Sequence, residues 1–318
     1  MVSNSPPPCS GAEETAPQFL LHRLNIASGI YPVKVLNYLR KESNNKRGVS
    51  ELENNQPIGV FDSGVGGLTV VKSLLDKLPQ ERFIYYGDTA HLPYGNKSEE
   101  QLFSYAHKII TYLNSRNVKA IIVACGTHSS VTLPVISKDY TLPLLGVVKS
   151  GARAAVRLSH KGKIGVLATR ATVNKLAYTE QIIKINPALE VIEVACPRFV
   201  PLVESGQLEG SETREAIAEY IGPLLEKGVD TIVLGCTHYP FLASLIQEYA
   251  GKEIKLVDPS CETIDELADI LNTEKLLNTS KQRPGGEFYV SGQDDSFYHV
   301  GRLLIGDTIK KVYKLDLD

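Results

Sequence analysis

The sequence predicts an α/β protein built as two similar α/β domains with mainly parallel sheets, the active site lying in the cleft between them. Three observations predict it. From Pro57 onward, short apolar runs alternate with segments of helical pattern, as parallel strands buried on both faces do. Two of these runs are near copies, Val118-Lys-Ala-Ile-Ile-Val-Ala-Cys125 and Val229-Asp-Thr-Ile-Val-Leu-Gly-Cys236. Each copy ends in a cysteine where a strand gives way to a helix, the end of an open α/β sheet at which ligands bind.

The elements follow in order. Residues 1–56 stand apart, with Pro6 to Pro8, a Ser- and Asn-rich start and a polar stretch from Lys41 to Gln56. They read as a poorly ordered N-terminal extension. They lack the apolar core of a secretory signal, and Glu13 and Glu14 do not suit an acid-poor transit peptide. The first strand is Ile58 to Phe61, and it ends in Asp62-Ser63-Gly64-Val65-Gly66-Gly67. Leu68, Val71, Leu74, Leu75 and Leu78 then share one helical face. Further strands are expected at Phe83 to Tyr86, Ala120 to Ala124, Leu144 to Val148, Lys163 to Leu167, Val191 to Val194, Thr231 to Leu234 and Ile254 to Val257.

Composition narrows the function. The 318 residues make two domains at about 150 residues each. Lys plus Arg number 34 and Asp plus Glu 36, and a net charge of -2 does not suit a basic nucleic-acid binder. No apolar run approaches the ~20 residues that span a bilayer. Neither nucleic acid nor membrane is therefore expected as a partner. Five cysteines are too few for a disulfide scaffold, and the odd count implies free thiols.

A cysteine at a helix start meets backbone N–H groups that lower its thiol pKa below the free value of about 8.5. Two such cysteines, Cys125 and Cys236, facing one substrate suit inversion of a stereocentre: one removes a proton and the other delivers one from the opposite face. The plainer reading makes both small buried hydrophobes. A metal pair is disfavoured, because no CxxC occurs and the cysteine and histidine spacings match no zinc pattern. Cys9, Cys196 and Cys261 read as structural or incidental. Asp62 sits where a carboxylate can hold an ammonium group or assist a thiol, or simply cap a helix. The glycines after it allow a tight turn and close approach to a ligand, but no P-loop lysine and no full GxGxxG is present. Pro93-Tyr94-Gly95 reads as a strand-end loop able to offer amides to a carboxylate, or as an ordinary turn.

At these residues the chain resembles the glutamate racemases of the cofactor-independent aspartate/glutamate racemase superfamily. The matching blocks are IGVFDSGVGGLTV from Ile58, YYGDTAHLPYG from Tyr85, VACGTHSS from Val123, CPRFVPLVESG from Cys196 and LGCTHYP from Leu234. VDPS from Val257 and the FYVSG…GRLLIG ending also fit, so the resemblance covers about residues 57 to 310. It implies a discontinuous first domain of 57–148 plus 258–318 and a second of 149–257. Cys125 and Cys236 would be the two bases, one for each enantiomer, assisted by Asp62, Glu204 and His238. Ser63, Tyr94, Gly95, Gly126, Thr127, Thr169, Thr237 and His238, with Asp62, would surround the substrate glutamate. Taken alone, His238 also reads as a structural histidine, Glu204 as a solvated charge at a helix start, and Thr169 as a helix cap.

The resemblance implies no metal, pyridoxal phosphate or other organic cofactor, a small-molecule substrate and a homodimer. It also implies D-glutamate for peptidoglycan synthesis, in the cytoplasm of a walled bacterium or a plastid stroma. Racemisation of another acidic amino acid such as aspartate, and a weakened glutamate-binding or regulatory homologue, are the alternatives. One departure stands out. The family usually has Cys-Asn-Thr and then a small residue at the first cysteine; here stand Cys125-Gly126-Thr127-His128. One side-chain amide is missing, a loss of about 1.5–3 kcal/mol of binding, and His128 either crowds the site, points away from it or shifts the Cys125 thiol.

Overall fold

A computed structural model describes residues 54–94, 97–280 and 285–317, with the side chains of Asp294 and Ser296 excepted. The expected extension lies outside the described residues apart from 54–56, and so does Gly95. The described strands are β1 (Ile58–Asp62), β2 (Phe83–Gly87), β3 (Ala120–Val123), β4 (Leu144–Gly146), β5 (Lys163–Ala168), β6 (Glu190–Ala195), β7 (Thr231–Leu234), β8 (Lys255–Val257), β9 (Gly286–Val290) and β10 (Val312–Lys314). They form a six-stranded sheet in the order β10-β9-β2-β1-β3-β4 and a four-stranded sheet in the order β6-β5-β7-β8. Every pairing is parallel.

The smaller sheet repeats the larger one's β2-β1-β3-β4 block strand for strand. The near-copy segments are β3 of the larger sheet and β7 of the smaller, each set beside the first strand of its sheet, with Phe61 paired to Val123 and Leu167 to Leu234. Alternate residues of β1 feed opposite cores. Ile58 and Val60 pack with Leu68, Val71, Leu74 and Leu267, whereas Phe61 packs with Ile109, Ile110 and Leu113. The helix Glu99–Ser115 supplies the second group. It starts at a capping box in which Ser98 Oγ accepts from Gln101 N and Gln101 Oε1 accepts from Ser98 N. Truncating Ile110 to Ala there would cost about 2–5 kcal/mol.

Most expected strands differ from the observed ones by a residue or two. The largest overrun is at β4: Val147 and Val148 open the helix Val147–Leu158 and do not continue the strand. The apolar run from Leu144 straddles a strand end and a buried helix start, and hydrophobicity alone does not separate the two. The strands β9 and β10 were not anticipated as strands. Among the described residues, no helix is long and apolar enough to cross a membrane.

Candidate active site

Strand order reverses between β1 and β3 in one sheet and between β5 and β7 in the other, and ligands of open α/β sheets bind at such points. Asp62 ends β1, Cys125 follows β3, Thr169 follows β5 and Cys236 follows β7. The two carboxyl ends meet at a cavity of about 250 Å³. Of the expected site residues, Ser63, Tyr94, Cys125, Gly126, Thr127, Thr169, Cys236, Thr237 and His238 line it.

Asp62 and Glu204 stand just behind that lining and reach it through partners. Asp62 is fully buried. Its Oδ2 accepts from Gly67 N at 2.7 Å, and Thr237 Oγ1 donates to its carboxylate at 3.3 and 3.4 Å. Asp62 is not the cap of the helix Leu68–Lys77, whose N-cap is Gly67 with no side-chain cap bond; it steadies the turn before that helix and holds a lining threonine. Burial raises its pKa, against the pull of His238 and the Gly67 and Ser63 amides. Glu204 ends the helix Phe199–Glu204 rather than starting one, and it is not a solvated charge: its Oε1 lies 2.6 Å from His238 Nε2.

Around Cys236 the polar groups form a line. His238 Nδ1 lies 3.7 Å from Cys236 Sγ, while Nε2 faces Glu204. Burial alone would lower the His238 pKa, but the bonds to Cys236 and Glu204 outweigh it and raise it well above the usual value. Both ring nitrogens thus face partners that favour the charged form of the ring. Gly66 makes this possible: a Cβ there would stand 2.5 Å from His238 Nδ1. At this point the glycine-rich turn approaches the opposite lobe of the protein.

Cys125 caps the helix Gly126–Val131. The N–H groups of His128 and Thr127 lower its pKa, as the sequence leads one to expect. Burial and then the Asp62 charge push the thiol the other way and prevail, so the net effect raises its pKa above the free value. The His128 ring does not line the cavity. It is fully buried, edge-on to Tyr94 at 4.6 Å and near Phe61 at 5.4 Å, with Nδ1 3.1 Å from Thr132 Oγ1. Burial pushes its pKa down to about 3, so the neutral ring brings no charge to Cys125. Tyr94 in turn donates to the buried carboxylate of Asp88.

Thr169 is a helix cap as well as a lining residue, accepting from Thr172 N at 3.4 Å. Cys196, set aside on sequence, also lines the cavity, and its carbonyl accepts from Tyr239 Oη at 3.1 Å. Arg170 was missed too; a basic residue directly after a strand-end threonine is the signal that marks it. Leu92, Val200 and Pro201 supply apolar wall. No group of three or more His, Cys, Asp or Glu able to hold a metal is present among the described residues.

Comparison with known proteins gives a consistent result. Residues 66–267 match the family described as Asp/Glu/Hydantoin racemase. A glutamate racemase of Geobacter metallireducens is 42% identical over 261 residues, 82% of this chain and 97% of the relative. The crystal structure of glutamate racemase from Francisella tularensis in complex with D-glutamate aligns with a TM-score of 0.78 at 37% identity, covering 83% of this chain and 99% of that one. The RacE1 glutamate racemase isoform from Bacillus anthracis aligns with a TM-score of 0.79 at 33% identity, covering 83% and 98%.

Proposed function

The chain belongs to the glutamate racemases of the Asp/Glu/Hydantoin racemase family, and from that premise we propose that it interconverts L- and D-glutamate by proton transfer between two cysteines. The observation that carries this reading is the pair of corresponding strand ends, each delivering a thiol to one cavity. One sulfur, as thiolate, takes the α-proton and breaks the C–H bond. The other, as thiol, gives a proton to the opposite face of the same carbon. One proton leaves and one arrives, so the product is the mirror image and the two sulfurs have exchanged protonation states.

The α-proton is a very weak acid, so charge developing on the α-carboxylate needs donors fixed in advance. Thr127 and Ser63 are the hydroxyls at hand to donate, Thr169 and Thr237 line the cavity with their hydrogens turned to Thr172 and Asp62, and Arg170 is a cation for a second carboxylate. Imidazolium His238, backed by Glu204, exchanges a proton with Cys236; Asp62 holds Thr237 in place. The solved relative with D-glutamate supports the substrate. The same reading carries a first domain of 57–148 plus 258–318, a second of 149–257 and a homodimer. It also carries supply of D-glutamate for peptidoglycan in the cytoplasm of a walled bacterium or a plastid stroma.

One experiment tests it. Purified protein is incubated in heavy water with L- or D-glutamate and no added cofactor. NMR follows deuterium at the α-carbon, and circular dichroism follows inversion. Exchange and inversion are expected for the wild type, with inversion lost in Cys125→Ser and in Cys236→Ser. A folded wild type that exchanges neither enantiomer beside an active control overturns the reading, leaving another acidic substrate or a binding role.

A further inference from the structure

Ser130 and Thr172 do not line the cavity, yet they join its two walls. Ser130 lies in the helix that follows Cys125, and Thr172 in the helix Arg170–Asn174 that follows β5. Ser130 Oγ is 3.3 Å from Thr172 Oγ1, which is 3.1 Å from Thr169 Oγ1, which is 3.1 Å from Thr127 Oγ1. Four hydroxyls thus form one chain across the seam between the lobes.

The chain has a direction, because each hydroxyl has a single hydrogen to give. Ser130 Oγ lies 2.8 Å from the carbonyl oxygen of Gly126 and 3.0 Å from that of Thr127, and carbonyls only accept. Its hydrogen is committed there, so Thr172 donates to Ser130. With that hydrogen used, Thr169 donates to Thr172. Thr169 in turn accepts from Thr127, as it does from Thr172 N. The order is Thr127, Thr169, Thr172, Ser130, backbone carbonyl.

We propose that Ser130 and Thr172 are positioning residues that fix the place and hydrogen direction of the two cavity-lining threonines, Thr127 and Thr169. Thr127 gives its hydrogen to Thr169, and gives it to a ligand carboxylate only in exchange. A charged acceptor wins that exchange over a neutral hydroxyl. Substrate binding thereby trades one tie across the seam, Thr127 to Thr169, for a bond to the ligand, while Ser130 to Thr172 keeps the walls in register. The inference rests on the reading of the cavity as a glutamate site.

The test measures racemisation of both enantiomers and D-glutamate binding by calorimetry for wild type, Thr172→Val, Thr172→Ser and Ser130→Ala. Thr172→Val breaks the chain at its middle and should raise KM and Kd about 5- to 10-fold, with kcat changed less than about 2-fold. Thr172→Ser keeps the hydroxyl and should return both to within about 2-fold of wild type, a rescue that mere loss of packing does not allow. Ser130→Ala should raise KM and Kd by about 2- to 5-fold, and it decides the matter if Thr172→Val does not fold. Wild-type KM and Kd in the folded variants overturn the inference, as does a rise that Thr172→Ser fails to reverse. A wild type that neither binds nor turns over glutamate overturns the functional reading instead, and the inference falls with it.

Discussion

At the scale of single residues, Gly126 reverses the lesson of the sequence. The family pattern makes it a missing amide. The structure makes it a contact point, because a Cβ there would stand 2.6 Å from the carbonyl oxygen of Gly235, next to Cys236. The obstacle is backbone, so the two cysteine loops would have to part. Gly126→Ala should cost about 1–3 kcal/mol of stability and lower kcat, and Gly126→Asn should behave worse rather than restore a lost contact. Thermal melting and racemisation kinetics check both; a tighter-binding Gly126→Asn of full stability would refute the argument. This approach joins residues far apart in the chain, so nothing local could reveal it. His128 carries a second prediction at this scale. Its pKa is pushed down to about 3 in the fold, whereas an unfolded histidine titrates near 6.5. The His128 contribution to stability is therefore fully present above about pH 6.5 and is lost as pH falls toward 3, because the unfolded chain takes the extra proton. His128→Phe should flatten that acid slope in urea titrations between pH 6.5 and 4. A slope equal to wild type would show that burial does not hold the ring neutral.

At the scale of elements, the strands and the first helix were legible because buried parallel strands write themselves as short apolar runs. β9 and β10 were not, since β9 buries only Phe288 and Val290 of its five residues and β10 only Val312 of its three, so neither shows as a continuous apolar run. What the runs hide is how the opposite ends of the strands are tied. Lys119, just before β3, has a side chain that is 0% exposed, and its Nζ lies 2.6 Å from Glu81 Oε2, just before β2. The same Nζ donates to the carbonyls of Asn54 at 2.8 Å and Leu276 at 2.7 Å, while Glu81 Oε1 accepts from Asn278 N at 2.8 Å. One ammonium thus pins three separate segments at the edge of the sheet away from the cavity. Lys119→Met would leave a buried carboxylate without its cation and should cost about 3–5 kcal/mol. Adding Glu81→Gln should recover part of that loss. Urea unfolding measures both. KM should stay at wild type in each folded variant, because the pair lies at the opposite strand ends from the thiols; a changed KM would mean that strain runs the length of β3.

At the scale of the whole molecule, the two lobes meet across the cavity through polar contacts that a sequence reading names only in part. Asp62, Thr237, His238 and Glu204 were nameable one by one. Their arrangement as one network was not, because it depends on β1 and β7 presenting their ends to each other. Glu204 is its hinge point: Oε1 faces His238 at 2.6 Å and accepts from Val65 N, in the other lobe, at 3.4 Å. The last prediction concerns that charge. His238 titrates well above its usual range in the fold, because its bonds to Cys236 and Glu204 outweigh its burial. A raised base stabilises the fold fully below the unfolded pKa of about 6.5, and that contribution is lost as pH rises through the folded value. Glu204→Gln keeps an oxygen able to accept from both His238 and Val65 but removes the negative charge, so the folded pKa of His238 must fall. The variant should therefore be less stable than wild type at pH 6, and the two stabilities should converge as pH rises. Urea midpoints from pH 6 to pH 9.5 read this out directly. A deficit of constant size across that range would assign Glu204 a purely steric place in the seam and remove the imidazolium from the site.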